Sequence, residues 1–157
     1  MGSSSTIQAF PKKGERKAMA VVSNKFSLQT KGHTEIIDIT KHVVRHIEQS
    51  GLDSGTATIF VSGSTAGVTT LEYEAGLIKD LTEAWERICP QDLPYAHDSR
   101  WGGGNGYAHV RAALLGPSLT VPFSQQKLLL GVWQQIVLVD FDNRSRSREI
   151  IVQIIGE

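Results

Sequence analysis

Residues 127–141 read KLLLGVWQQIVLVDF, a long and mostly apolar stretch. Aliphatic and β-branched residues dominate it, which predicts one long strand. A second apolar stretch, REIIVQIIG at residues 148–156, predicts another strand, and the polar residues 142–147 between them predict a turn. Two such strands near the C-terminus indicate a fold rich in sheet.

The same composition predicts further strands upstream, at residues 20–30, 34–40, 55–63, 67–74 and 118–123. Apolar residues spaced by three and four predict a helix from Thr40, as its cap, to Ser50, and a second over residues 75–89. A short third helix is predicted over 107–116, ended by Gly116. Strands outnumber helices, so we expect an α+β fold with a mostly antiparallel sheet, two main helices and a short third helix.

Composition limits the class of protein. A chain of 157 residues with 40% hydrophobic content predicts one domain over residues 19–157, preceded by a polar, flexible extension at 1–18. Its 16 basic and 16 acidic residues argue against electrostatic binding of nucleic acid. No apolar run approaches the ~18 residues of a membrane span. With one cysteine, Cys89, and no apolar leader, we expect a cytoplasmic protein.

The first candidate site surrounds a glycine-rich segment, SRWGGGNGYAHVR at residues 99–111. Glycines allow backbone N–H groups to approach an anion, and His97, Asp98, Arg100, Asn105 and His109 lie within or beside this segment. Neutral imidazoles bind metals, and the adjacent carboxylate is suited to orient one or to hold Mg²⁺. A loop whose charged residues are simply solvated remains the alternative.

Two other clusters carry polar or aromatic groups. SGSTAGVTTLEYE at residues 62–74 combines small hydroxyl residues with Glu72, and a tight turn with solvated acids is the alternative interpretation. Trp133 lies in an apolar run, where a core tryptophan is the usual explanation. The alternating Arg144, Arg146 and Arg148 share one face of a strand, which is either a phosphate-binding face or a solvated edge.

Four blocks of the sequence together resemble one family: GSTAGVTTLEYE (63–74), DLTEAWERICPQDLPYAHD (80–98), NGYAHVRAALLGPSLTVP (105–122) and LLLGVWQQIVLVDFDNRSR (128–146). It is the YjbQ family, UPF0047, whose members are described as secondary thiamine-phosphate synthases. The likeness covers about residues 20–157. It implies a compact homotrimeric α+β protein that joins a hydroxymethylpyrimidine diphosphate to a thiazole phosphate and releases pyrophosphate.

The resemblance also implies roles for individual residues. The expected catalytic residues are Glu72, His97, Asp98 and His109. The expected substrate-binding residues are Ser64, Thr65, Arg100, Asn105, Gly106, Arg111, Ser118, Trp133 and Gln134. A divalent metal, Mg²⁺ or Zn²⁺, is expected on His97, Asp98 and His109.

The chain departs from the family pattern at two positions. Gly63 stands where many members have a histidine, and Tyr107 replaces the first histidine of the NGHAH variant. Two histidines and a carboxylate remain for a metal. The alternative function is therefore a non-catalytic trimer that binds a metal or a phosphorylated small molecule.

Overall fold

The computed structural model describes residues 18–157; the predicted extension otherwise lies outside the described residues. Eight strands are present in this part of the chain: β1 (Ala20–Thr30), β2 (Glu35–Asp38), β3 (Gly55–Ser62), β4 (Ala66–Leu71), β5 (Ser118–Ser124), β6 (Lys127–Leu128), β7 (Gln135–Asp140) and β8 (Arg146–Gly156). The helices of the same residues are α1 (Thr40–Ser50), α2 (Ala75–Ile88), α3 (Ala96–Trp101) and α4 (Gly106–Leu115).

The strands form two sheets, and the neighbouring strands in both are antiparallel. The larger sheet has the order β1-β8-β3-β5-β6, with β8 paired along its whole length to β1. The smaller sheet has the order β2-β7-β4. The predicted α+β class with antiparallel sheet is confirmed.

Strand β7 is buried on both faces, which explains its unbroken apolar sequence. Ile136 and Leu138 pack in a core shared with the larger sheet and with α1. Val137 and Val139 point the other way, into a second core closed by residues of α2 and α4. The small sheet is therefore the middle layer between the large sheet and these helices.

The prediction of one strand over residues 127–141 is wrong. The chain leaves β6 after Leu128 and re-enters a sheet only at Gln135. Between them the Gln134 amide oxygen accepts a hydrogen bond from the Gly131 backbone N–H at 2.8 Å, closing a turn. This turn leaves Val132 84% and Trp133 69% exposed, so the interpretation of Trp133 as a core residue is wrong as well.

Other predicted boundaries shift by a few residues. Helix α3 forms inside the segment expected to be a loop, and it ends at Gly102, whose φ of 66° suits glycine. Ile39 rather than Thr40 occupies the N-cap of α1, while the Thr40 hydroxyl accepts the Ile136 backbone N–H at 2.8 Å. Among residues 18–157, no helix combines the length and the apolar character needed to cross a membrane.

Candidate functional site

Two adjoining pockets open where the connection between β3 and β4 meets helix α4. The polar pocket is lined by charged, amide, hydroxyl and imidazole groups, together with one glycine: Gly63, Ser64, Thr65, Asn105, His109, Asp142, Arg146, Ser147 and Arg148. The apolar pocket is lined mainly by small aliphatic residues: Gly63, Ser64, Ala66, His109, Ala112, Ala113 and Pro117. Because Gly63, Ser64 and His109 belong to both linings, the two pockets form one candidate site.

Ion pairs form the inner wall of the polar pocket: Asp142, Arg146 and Arg148 line it, and the fully buried Asp140 lies behind them. Arg148 donates from Nε and Nη2 to the two oxygens of Asp140, at 2.7 and 2.6 Å. Arg146 donates from Nε to Asp142 Oδ2 at 2.7 Å. Asp140 ends β7 and Arg146 begins β8, so a short connection brings the alternating acids and the alternating bases together. The forked contact fixes the orientation of the Arg148 guanidinium, and a single charge-assisted hydrogen bond holds that of Arg146.

Thr65 joins the two ion pairs. Its hydroxyl donates to Asp142 Oδ2 at 2.9 Å and accepts from Arg148 Nη2 at 2.7 Å. Burial alone would raise the pKa of Asp142, but the hydrogen bonds from Arg146 and Thr65 outweigh it and lower the pKa below its usual value. Asp142 is therefore a carboxylate at neutral pH.

The glycines at 102–104 connect α3 to α4, and they line neither the polar nor the apolar pocket. Asn143 donates from its amide nitrogen to the carbonyl oxygens of Gly103 and Gly104, at 2.8 and 3.2 Å. Asp98 Oδ1 accepts the Gly106 backbone N–H, the first of α4, at 2.8 Å. A Cβ at Gly106 would lie 2.4 Å from Tyr95 Cβ, so the glycine is needed for packing.

His109 stands where the polar and apolar pockets meet. The centre of its ring lies 4.3 Å from that of His97, the two planes inclined by 40°. Burial and the neighbouring His97 lower the pKa of His109, although Asp142 and Asp98 act in the opposite direction. The imidazole is therefore neutral at pH 7, with one nitrogen able to donate and the other able to accept a hydrogen bond.

The predicted metal ligands His97 and His109 lie together, but with Asp98 they do not form a group of three. The Asp98 carboxylate already accepts the Gly106 N–H, and the His97 and His109 rings lie against each other. Within the described residues, no three side chains of His, Cys, Asp or Glu are grouped so that they could hold a metal ion. The donors present therefore do not fit a metal centre with three protein ligands.

Three predicted site residues lie in a different region. Glu72 and Trp133 line a third pocket together with Asp38, Tyr73, Glu74, Val132 and Gln135. The neighbouring Gln134 donates from its side-chain amide to the Thr70 hydroxyl at 3.4 Å. Glu72 therefore does not share the polar pocket with His109, and Asp98 lines none of the three pockets, contrary to the grouping expected from the resemblance.

Arg111 is in the core and not at the candidate site. It is fully buried, and it donates from Nε and Nη2 to the Cys89 carbonyl oxygen at 2.9 and 2.6 Å. Further bonds from its guanidinium reach Thr34 Oγ1 and Glu86 Oε1, at 2.9 and 2.8 Å. This arrangement corrects the expected role of Arg111 in substrate binding, because its charge is used to join α4, α2 and the start of β2.

Two further predicted residues lie on the surface. Ser118 is exposed at the start of β5, where it pairs with Phe60, and it lines none of the three pockets. Arg100 is exposed on α3, with its guanidinium carbon 5.4 Å from the centre of the Trp101 ring. Neither side chain is held toward the polar pocket by a hydrogen bond within the described residues.

The four charged residues of the inner wall are not among the site residues that the sequence predicts: Asp140, Asp142, Arg146 and Arg148. The pattern predicts only that Arg146 and Arg148 share one face of a strand. The sequence nevertheless contains a signal for this wall: the alternating acids of DFD (140–142) precede the alternating bases of RSR (146–148) by a few residues. Alternation on both sides of a short connection predicts that the two sets of charges face each other.

Comparison with known proteins identifies the family. A family model described as UPF0047 protein YjbQ-like matches residues 24–157. A UPF0047 protein of Archaeoglobus fulgidus is 37% identical over 127 residues, which cover 81% of this chain and 96% of that relative. A UPF0047 protein of Methanothermobacter thermautotrophicus is 34% identical over 139 residues, covering 88% of this chain and 95% of that relative.

Solved structures give the same result. A YbjQ-like protein of unknown function from Sulfolobus solfataricus superposes with a TM-score of 0.84 at 33% identity, covering 89% of this chain and all of the other. A hypothetical protein from Aeropyrum pernix superposes with a TM-score of 0.80 at 26% identity, covering 87% and 99%. The fold and the sequence agree, and the chain belongs to the UPF0047 family of YjbQ-like proteins.

Proposed function

We propose that the joined pockets bind a small phosphorylated molecule and support a thiamine-phosphate synthase reaction. The observation that carries this proposal is the position of His109 between a polar pocket with two oriented arginines and an apolar pocket of small side chains. A molecule with a phosphate at one end and a ring at the other matches this division. The family resemblance supplies the particular reaction.

The proposed reaction depends more on hydrogen-bond donors for the leaving pyrophosphate than on a strong base. In the proposed reaction the C–O bond to the diphosphate breaks and pyrophosphate leaves with the electron pair. The thiazole nitrogen then forms the new C–N bond to the benzylic-type carbon. Negative charge grows on the leaving group, so fixed hydrogen-bond donors beside it stabilise the transition state. Arg146, Arg148 and the neutral His109 supply such donors in the polar pocket.

A second function is favoured by Gly63. This residue lies in both pocket linings, at the position where many family members have a histidine. The chain has no third imidazole there, and its predicted metal ligands are not grouped. A trimer that binds a phosphorylated molecule without transforming it is therefore the second candidate.

An assay of the purified chain separates the two functions. With both half-molecules present we expect thiamine phosphate to accumulate above a heat-denatured control, with or without added Mg²⁺. The pyrimidine monophosphate should give no product, because it carries no pyrophosphate leaving group. Chromatography of the products measures both. Binding of both half-molecules without any product would contradict the synthase and support the binding protein.

We further propose that the chain forms a homotrimer in the cytoplasm. Exposed apolar side chains support self-association, among them Val132 and Trp133 in the turn before β7 and Val21 and Phe60 on the outer face of the large sheet. Multi-angle light scattering should give about three times the subunit mass of 17.2 kDa. A mass equal to one subunit at micromolar concentration would contradict the trimer.

A further inference from the structure

The guanidinium group of Arg148 is only partly used by the protein. Its Nε and Nη2 make three hydrogen bonds, to the two oxygens of Asp140 and to Thr65. Within residues 18–157, Nη1 has no hydrogen-bond partner, although the side chain is only 7% exposed. An unmet charged donor at a largely buried position is costly unless water or a ligand accepts its hydrogen bonds.

The absence of a side chain at residue 63 keeps this nitrogen accessible. A Cβ built at Gly63 would lie 3.0 Å from Arg148 Nη1. The φ angle of Gly63 is not in the left-handed region, so the backbone itself does not require glycine. Gly63 and Arg148 both line the polar pocket. A side chain at residue 63 would therefore lie directly against the unpartnered donor, and in this chain glycine leaves that space open.

The neighbouring carboxylates do not compete for this donor. Asp140 Oδ2 accepts from Arg148 and Thr30, and Asp140 Oδ1 accepts from Arg148 and the Asp142 backbone N–H. Asp142 Oδ1 accepts from the Asn143 backbone N–H at 2.8 Å. Two carboxylates balance the charge of Arg146 and Arg148, but the guanidinium groups have more N–H donors than these acceptors use. The wall is electrically neutral and rich in donors.

We propose that Arg148 Nη1, in the gap left by Gly63, is an oxyanion subsite that binds a terminal phosphate of the ligand. The inference rests on the proposed function for the class of ligand, a phosphate or diphosphate, and does not require the synthase reaction. Arg146, whose Nε is fixed on Asp142, lies on the same wall and provides a second guanidinium. The planar guanidinium of Arg146, held in place by Asp142, suits phosphate oxygens better than the ammonium group of a lysine would.

Gly63→Ala is the cleaner test, because replacing Arg148 would leave Asp140 buried without its partner. The added methyl group covers Nη1, and because its Cβ would lie 3.0 Å from that nitrogen, the guanidinium has to move by only a few tenths of an ångström. We therefore expect the hydrogen bonds of Arg148 to Asp140 and Thr65 to remain. Titrating the full chain with pyrophosphate by calorimetry, we expect Gly63→Ala to weaken binding by about 10-fold or more, the loss typical of one charge-assisted hydrogen bond. Ser62→Ala, an exposed neighbour that lines neither pocket, should bind as the wild type does.

A second measurement reports on the arginine itself. The ¹H–¹⁵N side-chain signals of Arg148 should shift on addition of pyrophosphate to the wild type and shift much less in Gly63→Ala. Equal affinity of Gly63→Ala and wild type, or no binding of pyrophosphate by the wild type, would overturn the subsite. Thiamine phosphate formation that persists with unchanged pyrophosphate affinity in Gly63→Ala would overturn the subsite alone. Pyrophosphate binding lost in Gly63→Ala, with no synthase activity in the wild type, would overturn the reaction alone.

Discussion

Arg111→Ala is expected to lower the free energy of unfolding by about 3–5 kcal/mol, the sum of a cavity and of lost hydrogen bonds. The guanidinium is fully buried, and its removal leaves the Cys89 carbonyl oxygen and the Thr34 hydroxyl without their donor. The side chain also lies 5.0 Å from the centre of the Tyr107 ring, a cation–π contact that alanine cannot make. Chemical denaturation measures the change.

Arg87→Ala is the matched control for Arg111→Ala. Arg87 is an exposed residue in the last turn of α2, and its replacement should change stability by no more than about 0.5 kcal/mol. Equal stability of the two variants would show that Arg111 does not join α4 to α2 as the structure has it. Loss of ligand binding by Arg111→Ala at unchanged stability would restore the role in substrate binding that the sequence predicted.

His109→Ala is expected to reduce binding of the two half-molecules, and thiamine phosphate formation, by at least about 10-fold. The imidazole lines both pockets, and within the described residues it makes no side-chain hydrogen bond that the fold would lose. Stability should therefore change by less than about 1 kcal/mol. Calorimetric titration and thermal unfolding of the same samples measure both quantities.

The control for His109→Ala is His42→Ala, which removes an exposed imidazole that stacks on Phe26. It should leave binding of both half-molecules unchanged. Because alanine favours helix at position 109, a loss of stability there would mean that His109 packs in the core. A destabilised His109→Ala that still binds both half-molecules would contradict the pocket and support the core interpretation.

The lowered pKa of His109 sets the direction of its pH dependence. The folded state takes up this proton at a lower pH than the unfolded chain, whose ordinary histidine pKa is near 6.5. Its contribution to stability is thus fully present above pH 6.5 and is lost as the pH falls toward the folded pKa. Binding of the half-molecules that needs the neutral imidazole should weaken over that same acidic range. This pH dependence of binding should be absent in His109→Ala.

Much of the candidate site could be found from the sequence. The sequence predicts Ser64, Thr65, Asn105 and His109 as site residues, and the structure places each of them in the lining of the polar pocket. Their residue types and the glycines beside them carried that signal. Arg111 and Arg148 show where that signal stopped, because one is used by the core and the other faces the pocket. Which of the two an arginine does depends on partners distant in sequence, Thr34 for Arg111 and Thr65 for Arg148.

The family, the antiparallel α+β class, the strand over 148–156 and a helix starting at residue 75 could all be predicted from the sequence. The helix was expected to reach residue 89 and ends at Ile88. Each of these depends on a local period of apolar residues or on ordered motifs. The sequence did not reveal that the run at 127–141 breaks between Leu128 and Gln135, or that β7 is covered on both faces by different layers. The tertiary structure decided both, and it also decided that Glu72 and His109 belong to separate pockets. A local pattern fixes which face a side chain takes, whereas the chain segment that covers that face comes from elsewhere in the fold.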